Sequence, residues 1–289
     1  MVKRILVVAT LGCCSFAAQA KEVSVYLLGG QSNMEGQGFT KELTVAQKKF
    51  SHPVMYWSGK QWLEIEVGKT LTSRKPGLFG LELSFSQEMA KQGQNVYLIK
   101  FSASGMPLHH GWSGNTWKGG DPSKGRVNFY PGKAPNDPHS GSLYRKMMAK
   151  FRSGLKAIEK RGDTPVVKGF LWMQGEQDSK QLESAKSYGE SLKRLKQRVA
   201  EDVGVDKIPM VFGQVLPYEP ALDRFTFRKE IRSAMAAADA FSGKPTATPD
   251  LFMVKSEGCS MKKDTVHHDT KGYYELGLKF AKAMQREQK

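Results

Sequence analysis

Apolar runs of the length of a buried strand recur at five places along the chain. They cover residues 23–28, 96–101, 166–173, 209–215 and 251–254. Most positions within each run are apolar, without the alternation of a strand that has one face in water, so we expect these strands to be buried on both faces. The runs therefore predict the central strands of a parallel sheet.

Between and after these runs, apolar residues recur at the three- and four-residue spacing of a helix. The helical segments are residues 144–158, 188–199, 227–235 and 273–284. Strands that alternate with helices indicate an α/β fold, with helices covering both faces of the sheet. In such sheets the functional residues collect at the carboxyl ends of the strands.

One segment, residues 109–142, is rich in Gly and Pro and has no sustained period. A loop of this length is usually functional or disordered. It carries four aromatic residues, and a tryptophan beside an active site could stack on a sugar ring. Trp112 and Trp117 are therefore candidate substrate-binding residues. The alternative is that these aromatics only pack the loop onto the body of the domain.

The first twenty residues have the pattern of a secretory signal peptide. Lys3 and Arg4 precede the apolar residues 5–16, and residues 18–20 read Ala-Gln-Ala, a small-residue cleavage site. We expect cleavage after Ala20 and a periplasmic or secreted protein with one domain over residues 21–289. A lipoprotein modified at Cys13 or Cys14 fits the sequence poorly, and no later run is long enough for a membrane helix.

Composition limits the partners. The mature chain would keep only Cys259, so no internal disulfide is expected. The net charge of +16 makes nucleic acid the first partner to consider. However, Lys and Arg are spread along the predicted helices among acidic residues, without a recognition motif, which indicates a solvated surface. Neither nucleic acid nor a membrane is an expected partner, whereas an acidic polysaccharide is compatible with the charge.

A candidate nucleophile follows the first strand. Residues 29–32 read Gly-Gly-Gln-Ser, and glycines allow the sharp turn that exposes a serine at the end of a strand. A histidine base appears near the other end of the chain, where Asp264 precedes His267 by three residues. At this spacing the carboxylate can reach one imidazole nitrogen while the other faces the serine hydroxyl.

Two further blocks supply polar groups at strand ends. Residues 174–178 read Gln-Gly-Glu-Gln-Asp and offer the Gln174 amide and the Glu176 carboxylate, while Gly105 could lend a backbone N–H to an oxyanion. No metal site is expected. The pairs His267–His268 and His109–His110 are adjacent in sequence, and adjacent side chains rarely converge on one ion.

With these blocks together, the chain resembles the SGNH hydrolase superfamily, specifically the sialate O-acetylesterase and acetyl xylan esterase group of carbohydrate esterases. The residues that carry the resemblance are 30–34 (Gly-Gln-Ser-Asn-Met), Gly105, 172–178 (Trp-Met-Gln-Gly-Glu-Gln-Asp) and 264–267 (Asp-Thr-Val-His). The resemblance implies a three-layer flavodoxin-like fold with about five parallel strands. It also implies removal of acetyl groups from carbohydrates through an acetyl-serine intermediate, without a cofactor.

The resemblance also assigns roles to individual residues. Ser32 would be the nucleophile and His267 the base, and the oxyanion hole would be formed by Ser32, Gly105 and Gln174. Either Asp264 or Glu176 could orient His267, and Asp264 is favoured because it is closer in sequence. The sequence departs from the usual pattern of the group beside the oxyanion hole, at residues 104–107, and again at residues 80–82. The resemblance therefore does not identify which acetylated sugar is the substrate.

Two other functions remain open at this stage. One is a non-catalytic, carbohydrate-binding protein on an esterase fold. The other is a lipase-like or thioesterase-like SGNH hydrolase, although these usually have Gly-Asp-Ser where this chain has Gly-Gln-Ser. The oligomeric state cannot be inferred from the sequence.

Overall fold

The computed structural model describes residues 20–93 and 95–287, which form a central seven-stranded sheet between two layers of helices. The strands of this sheet are β1 (Glu22–Gly30), β3 (Val54–Trp57), β4 (Trp62–Glu64), β6 (Val96–Ser102), β9 (Thr164–Met173), β10 (Met210–Gln214) and β11 (Leu251–Lys255). Their order in the sheet is β11-β10-β9-β1-β6-β3-β4, and only the edge strand β4 runs antiparallel to its neighbour.

All five strands expected from the apolar runs are present, as β1, β6, β9, β10 and β11. The sheet is larger than the expected five strands because β3 and β4 extend one edge. β1 lies at the centre, so that Gly30 is opposite Ser102 on one side and Met173 on the other. The carboxyl ends of three adjacent strands therefore meet around the turn that carries Ser32.

The helices are α1 (Ser32–Glu35), α2 (Glu82–Ala90), α3 (Ser142–Glu159), α4 (Leu182–Lys186), α5 (Tyr188–Val203), α6 (Arg228–Ala238) and α7 (Thr270–Glu287). Short 3₁₀ turns occur at Thr40–Glu42, Ala46–Lys48, Asp178–Lys180 and Asp223–Phe225. Helices α2 and α7 pack together on one face of the sheet, and α3, α5 and α6 cover the other. This is the expected three-layer arrangement.

Helix α2 is not among the helices expected from the sequence. Eight of its nine residues are buried, including the polar Ser84, Ser86 and Gln87, because it lies between the sheet and α7. A helix that is enclosed on nearly all sides has no polar stripe to reveal its period. The strands of the sheet supply the main core, in which Leu27 and Phe170 are fully buried.

The long segment 109–142 contains little regular structure, as expected, apart from a small hairpin of β7 (Trp112–Ser113) and β8 (Thr116–Trp117). A second small sheet pairs β2 (Gly38–Phe39) with β5 (Leu78–Phe79). No helix in the described part of the chain combines the length and the apolar character needed to cross a bilayer. The expected signal peptide lies outside the described residues, except for Ala20.

Candidate active site

The candidate nucleophile sits on a turn that only glycine permits. β1 ends at Gly30, whose φ is +150°, and a Cβ at this position would lie 2.1 Å from the carbonyl oxygen of Met173. The chain then turns directly into the short helix α1, of which Ser32 is the first residue. The close approach of β1 and β9 therefore requires Gly30, and it projects the Ser32 side chain beyond the end of the sheet.

The Ser32 hydroxyl faces a histidine. Its Oγ lies 2.9 Å from Nε2 of His267, and Nδ1 of the same ring lies 2.7 Å from Oδ2 of Asp264. The other carboxylate oxygen of Asp264 accepts the backbone N–H groups of Val266 and His267, both at 2.9 Å. The carboxylate thus holds both the ring and the turn that carries it. The three side chains have the hydrogen-bond arrangement in which a histidine can activate a serine as a nucleophile.

These hydrogen bonds keep Asp264 ionised. Partial burial acts to raise the pKa of its carboxyl, but the hydrogen bonds from His267 and Val266 outweigh it and lower the pKa below the ordinary value. A carboxylate at this position favours the ring tautomer with the proton on Nδ1, which leaves Nε2 free to accept the serine proton.

Glu176, the alternative acid, has a different partner. Its Oε1 accepts the side-chain N–H of Asn33 at 2.6 Å, and in the described part of the chain no hydrogen bond joins it to His267. Burial raises the pKa of Glu176, although Asn33 and the nearby His267 act in the opposite direction. Asn33 also donates to the carbonyl of Val266 at 2.8 Å, so this pair ties the nucleophile turn to the histidine turn.

Gln174 does not occupy the position expected from the sequence. Its side chain is fully buried, and its amide nitrogen donates to Oδ2 of Asp178 at 2.6 Å and to the carbonyl of Met106 at 3.1 Å. An amide has only two N–H hydrogens, so Gln174 has none left for an oxyanion. Its amide oxygen accepts the hydroxyl of Tyr188 at 2.8 Å, which fixes the orientation of the amide group.

Gln31, which precedes the nucleophile, offers the amide that Gln174 does not. Its Oε1 lies 3.3 Å from Nε2 of Gln174, which turns its own Nε2 away from that residue. Gln31 lines the cavity beside Ser32, and its Nε2 has no hydrogen-bond acceptor among the described residues. Sequence reasoning did not select Gln31 as a candidate donor, because no sequence signal tells which of the two glutamines has a free amide beside Ser32.

Two backbone groups are also free near Ser32. Within the described residues, the N–H groups of Ser32 and Gly105 have no hydrogen-bond acceptor. Gly105 has a φ of +69° and lies in a turn that contacts the nucleophile turn, because the N–H of Ala103 donates to the carbonyl of Gly30 at 3.0 Å. Unpaired backbone N–H groups at this position can stabilise a developing negative charge.

The candidate catalytic residues Ser32 and His267 line a cavity of about 350 Å³. Ser32, His267, Gly105 and Gln31 form one part of its wall. The remaining wall includes the acidic Glu176 and the neutral Gln37, Ser104, Gln177 and Val266. It also includes three cations and one aromatic ring that sequence reasoning did not single out: Arg74, Lys180, Arg224 and Phe225.

The cations of the wall lack acidic partners. None of Arg74, Lys180 and Arg224 makes an ion pair with any described residue. Lys180 instead donates to the amide oxygen of Gln177 at 2.8 Å. Burial, and then the charge of Arg224, lower the pKa of Lys180. The cavity therefore offers unneutralised positive charge to a ligand.

The two tryptophans that were candidate substrate-binding residues lie elsewhere. Trp112 is 4 % exposed, and its indole N–H donates to Ser184 Oγ at 3.1 Å. Trp117 packs on it with 5.3 Å between ring centroids and stacks on His109. Neither tryptophan lines the cavity at Ser32. The aromatic residues of this loop pack it onto the body of the domain, which was the alternative interpretation.

The adjacent histidines His109 and His110 do come together, contrary to expectation. Their ring nitrogens and the carboxylate of Glu183 lie within 4.8 Å of one another. However, Nδ1 of His109 already accepts the N–H of Gly111 at 2.9 Å. Burial, together with the charges of His110, Arg194 and Arg126, lowers the pKa of His109 to about 3. The nearby cations Arg126 and Arg194 also disfavour a metal ion at this position. We therefore do not assign a metal site to these three residues.

Comparison with known proteins gives a consistent family. A family model described as a carbohydrate esterase, sialic acid-specific acetylesterase, matches residues 22–286. A protein of Arabidopsis thaliana, the probable carbohydrate esterase At4g34215, is 25% identical over 117 residues. This alignment covers 40% of the present chain and 40% of the length of that relative.

Solved structures share the fold at low identity. The crystal structure of the same Arabidopsis thaliana protein has a TM-score of 0.63 at 18% identity, covering 91% of this chain and 98% of that one. NanS has a TM-score of 0.60 at 11% identity, covering 93% and 98%. XAC1771, a carbohydrate acetylesterase from Xanthomonas citri, has a TM-score of 0.56 at 16% identity, covering 91% of this chain and 56% of that one.

Proposed function

The chain belongs to the sialic acid-specific acetylesterase family of carbohydrate esterases, and we propose that it hydrolyses O-acetyl esters of carbohydrates with Ser32 as the nucleophile. The proteins of this family are carboxylic ester hydrolases. One observation carries the proposal: Ser32 Oγ, the His267 ring and the Asp264 carboxylate are joined by contacts of 2.9 and 2.7 Å at the wall of a cavity.

The proposed reaction has two steps. Nε2 of His267 takes the proton of Ser32 as Oγ attacks the acetyl carbonyl carbon, and Asp264 stabilises the imidazolium that forms. The tetrahedral intermediate collapses as His267 returns the proton to the sugar oxygen, which leaves as the alcohol. Water then attacks acetyl-Ser32 with His267 again as the base, and this step releases acetate.

We propose that the oxyanion is held by the backbone N–H groups of Ser32 and Gly105 and by the side-chain amide of Gln31. The support is that these three donors are unpaired among the described residues, whereas the amide N–H groups of Gln174 are already occupied. Gln174 then acts as a positioning residue, because its buried side chain lies against the Gln31 amide, with 3.3 Å between Gln174 Nε2 and Gln31 Oε1. Loss of one oxyanion donor typically lowers the rate by about 10²–10³.

The sugar that best suits the cavity is an anionic one. Arg74, Lys180 and Arg224 line the wall near Ser32 without ion-pair partners, so a carboxylate-bearing sugar would find complementary charge. O-acetylated sialic acid has such a carboxylate, whereas acetylated xylose does not. We therefore propose an O-acetylated acidic sugar rather than acetyl xylan as the substrate.

Export is part of the same proposal. The basic residues Lys3 and Arg4, the apolar residues 5–16 and the Ala-Gln-Ala sequence ending at Ala20 support a cleaved signal peptide. Mass spectrometry of the protein from the periplasmic or culture fraction should find an N-terminus at Lys21. An N-terminus at Met1 in the exported protein would contradict cleavage at this site.

The activity is tested by acetate release. Purified protein should hydrolyse p-nitrophenyl acetate and O-acetylated sialic acid, and Ser32→Ala should lower kcat by at least about 10³-fold. Ser233→Ala, at an exposed position of α6, is the matched control and should retain activity. Unchanged activity in Ser32→Ala would overturn the nucleophile assignment. Sugar binding without acetate release would instead support the non-catalytic alternative, and a preference for long acyl chains a lipase-like enzyme.

The substrate class is tested by charge. The kcat/KM for O-acetylated sialic acid should exceed that for acetylated xylose and should fall as salt screens the cations, whereas that for p-nitrophenyl acetate should change little. Equal kcat/KM for the two sugars, with no salt dependence, would show that the cavity does not select an anion.

A further inference from the structure

A second cleft adjoins the cavity of Ser32. Its volume is about 330 Å³, and Arg74 lines both spaces. The cleft lies on the side of the sheet edge, where Tyr56 of β3 and Phe101 of β6 contribute to its wall together with Lys150 of α3. None of the residues of the catalytic relay reaches it.

Lys150 is the notable group of this cleft. Its side chain is half-buried, and its ammonium has no acidic partner and no hydrogen bond among the described residues. The nitrogen lies over the ring of Tyr56, 5.8 Å from the ring centroid. Burial, and then the charge of Lys100, lower the pKa of Lys150. A partly buried cation without a counter-ion is unfavourable, and a bound anion would relieve that cost.

The other charges around the cleft do not neutralise Lys150. The buried Lys100 is paired with Glu82, their charged atoms being 2.8 Å apart. Glu35 is the acidic side chain of the lining, and its carboxylate accepts the hydroxyl of Ser104 at 2.8 Å. Arg74, which connects the cleft to the cavity, has no ion-pair partner among the described residues. Within the described part of the chain, the lining therefore contains two cations without an ion-pair partner, Lys150 and Arg74, and one carboxylate without one, Glu35.

The remaining lining suits a sugar ring. Tyr56 and Phe101 provide aromatic surface, and Ser102 provides a hydroxyl group that can exchange hydrogen bonds with those of a sugar. The Ser73 hydroxyl donates to the carbonyl of Gly36 at 2.7 Å and can still accept a hydrogen bond from a sugar hydroxyl. The volume of the cleft, about 330 Å³, is close to the 350 Å³ of the cavity in which the acetylated unit is proposed to bind, so the two spaces suit units of similar size.

We propose that this cleft is a second saccharide subsite, which binds an acidic sugar unit linked to the acetylated unit at Ser32. Lys150 pairs with the carboxylate of the second unit, and Arg74 lies between the two carboxylates. The inference rests on the proposed function, because it assumes that the acetylated sugar binds beside Ser32. It goes beyond that function in making the substrate a charged oligosaccharide rather than a monosaccharide.

The test compares chain lengths. O-acetylated N-acetylneuraminic acid and the matching O-acetylated disialic acid are hydrolysed by wild-type protein, by Lys150→Met and by Lys146→Met. Lys146 is an exposed lysine one turn earlier on α3 and serves as the matched control. Wild-type kcat/KM should be at least about tenfold higher for the disaccharide, which corresponds to one charge-assisted contact. Lys150→Met should remove most of this preference, and Lys146→Met should retain it.

Two results would overturn the subsite. One is equal wild-type kcat/KM for the two lengths, and the other is a Lys150→Met effect that is the same on both sugars, which would indicate a structural role. Failure of the proposed function gives a different result, since neither sugar would then be hydrolysed. In that case the dissociation constant of the disaccharide, measured by calorimetry, decides. This dissociation constant should be about tenfold larger for Lys150→Met than for Lys146→Met. Equal dissociation constants in the two variants would contradict the subsite.

Discussion

Two carboxylates lie near His267, and their hydrogen bonds separate their roles. Asp264 bonds directly to the imidazole, whereas Glu176 acts on Asn33, which in turn holds the carbonyl of Val266. Asp264 therefore fixes the ring, and Glu176 fixes the distance between two turns. Two carboxylates of similar chemistry thus have different roles, because their hydrogen-bond partners differ.

Replacing Asp264 tests this separation. Asp264→Asn keeps the shape of the side chain but no longer favours the correct tautomer of His267, so kcat should fall by about 10⁴-fold with p-nitrophenyl acetate. Glu176→Gln should lower kcat much less, because an amide oxygen can still accept the Asn33 N–H. Asp269→Asn is a control in the same segment, because Asp269 bonds to Ser260 and to the N–H of Gly272 and should leave kcat within about threefold. If Glu176→Gln proves as damaging as Asp264→Asn while the protein stays folded, Glu176 is the orienting acid.

At the scale of elements, a buried ion pair connects the sheet to helix α2. Lys100 of β6 contacts Glu82 at 2.8 Å and also donates to the carbonyls of Glu35 and Thr72, both at 2.9 Å. Both charged side chains are almost completely buried. Burial lowers the pKa of Lys100, and the charge and hydrogen bond of Glu82 oppose this effect in part. The pair thereby holds β6, α1 and α2 in one arrangement beneath the active site.

Replacing one member of this ion pair should lower the free energy of unfolding more, per substitution, than replacing both members together. Lys100→Met leaves a buried carboxylate without its partner, and Glu82→Gln leaves a buried ammonium, so each should lower the free energy of unfolding by about 3–5 kcal/mol. The double substitution should cost clearly less than the sum of the two single ones. The free energies of unfolding of the wild type, the two single variants and the double variant are measured by urea unfolding at pH 7. Strictly additive losses would mean that the two side chains do not stabilise each other.

The elements also show what the sequence could predict. β1, β6, β9 and β10 lie inside the sheet and β11 lies at one edge, but all five are mostly buried and apolar, so their runs are visible in the sequence. The strands β3 and β4 were missed because they are only four and three residues long. Ser32, Asp264 and His267 could be singled out as candidate catalytic residues because a glycine turn and an Asp-His spacing are local features, and the structure brings the three side chains into contact. The orientation of Gln31 and Gln174 was not predictable, since it depends on Asp178 and Tyr188, which lie on a different turn and helix.

At the scale of the whole molecule, the fold brings together segments that are far apart in the chain. Ser32 and Gly105 follow neighbouring central strands, so the sheet register alone places them side by side. His267 follows β11 at the far edge of the sheet, and the chain must return to reach Ser32. The buried network around Asn33 and Tyr273, whose hydroxyl donates to Asn33 at 3.0 Å, secures this return. Stability of the histidine turn and stability of the fold are therefore linked.

His268 makes this linkage dependent on pH. The ring is buried against Tyr273, with 5.7 Å between ring centroids, and Nδ1 lies 3.2 Å from the carbonyl oxygen of Ser260. Burial lowers its pKa from 6.5 to about 4. Between these two values the unfolded chain binds a proton that the folded chain does not, so the contribution of His268 is fully present above about pH 6.5 and is lost as the pH falls to about 4.

We therefore expect acid to destabilise the protein through this site. The shift corresponds to about 3 kcal/mol, at about 1.4 kcal/mol per pKa unit. His268→Gln keeps a donor for the Ser260 carbonyl but does not titrate, so urea unfolding of this variant should depend less on pH between about 6.5 and 4. Some dependence should remain, because burial also holds the pKa of His109 at about 3. Identical pH dependence in the variant and the wild type would mean that His268 does not resist protonation in the folded state.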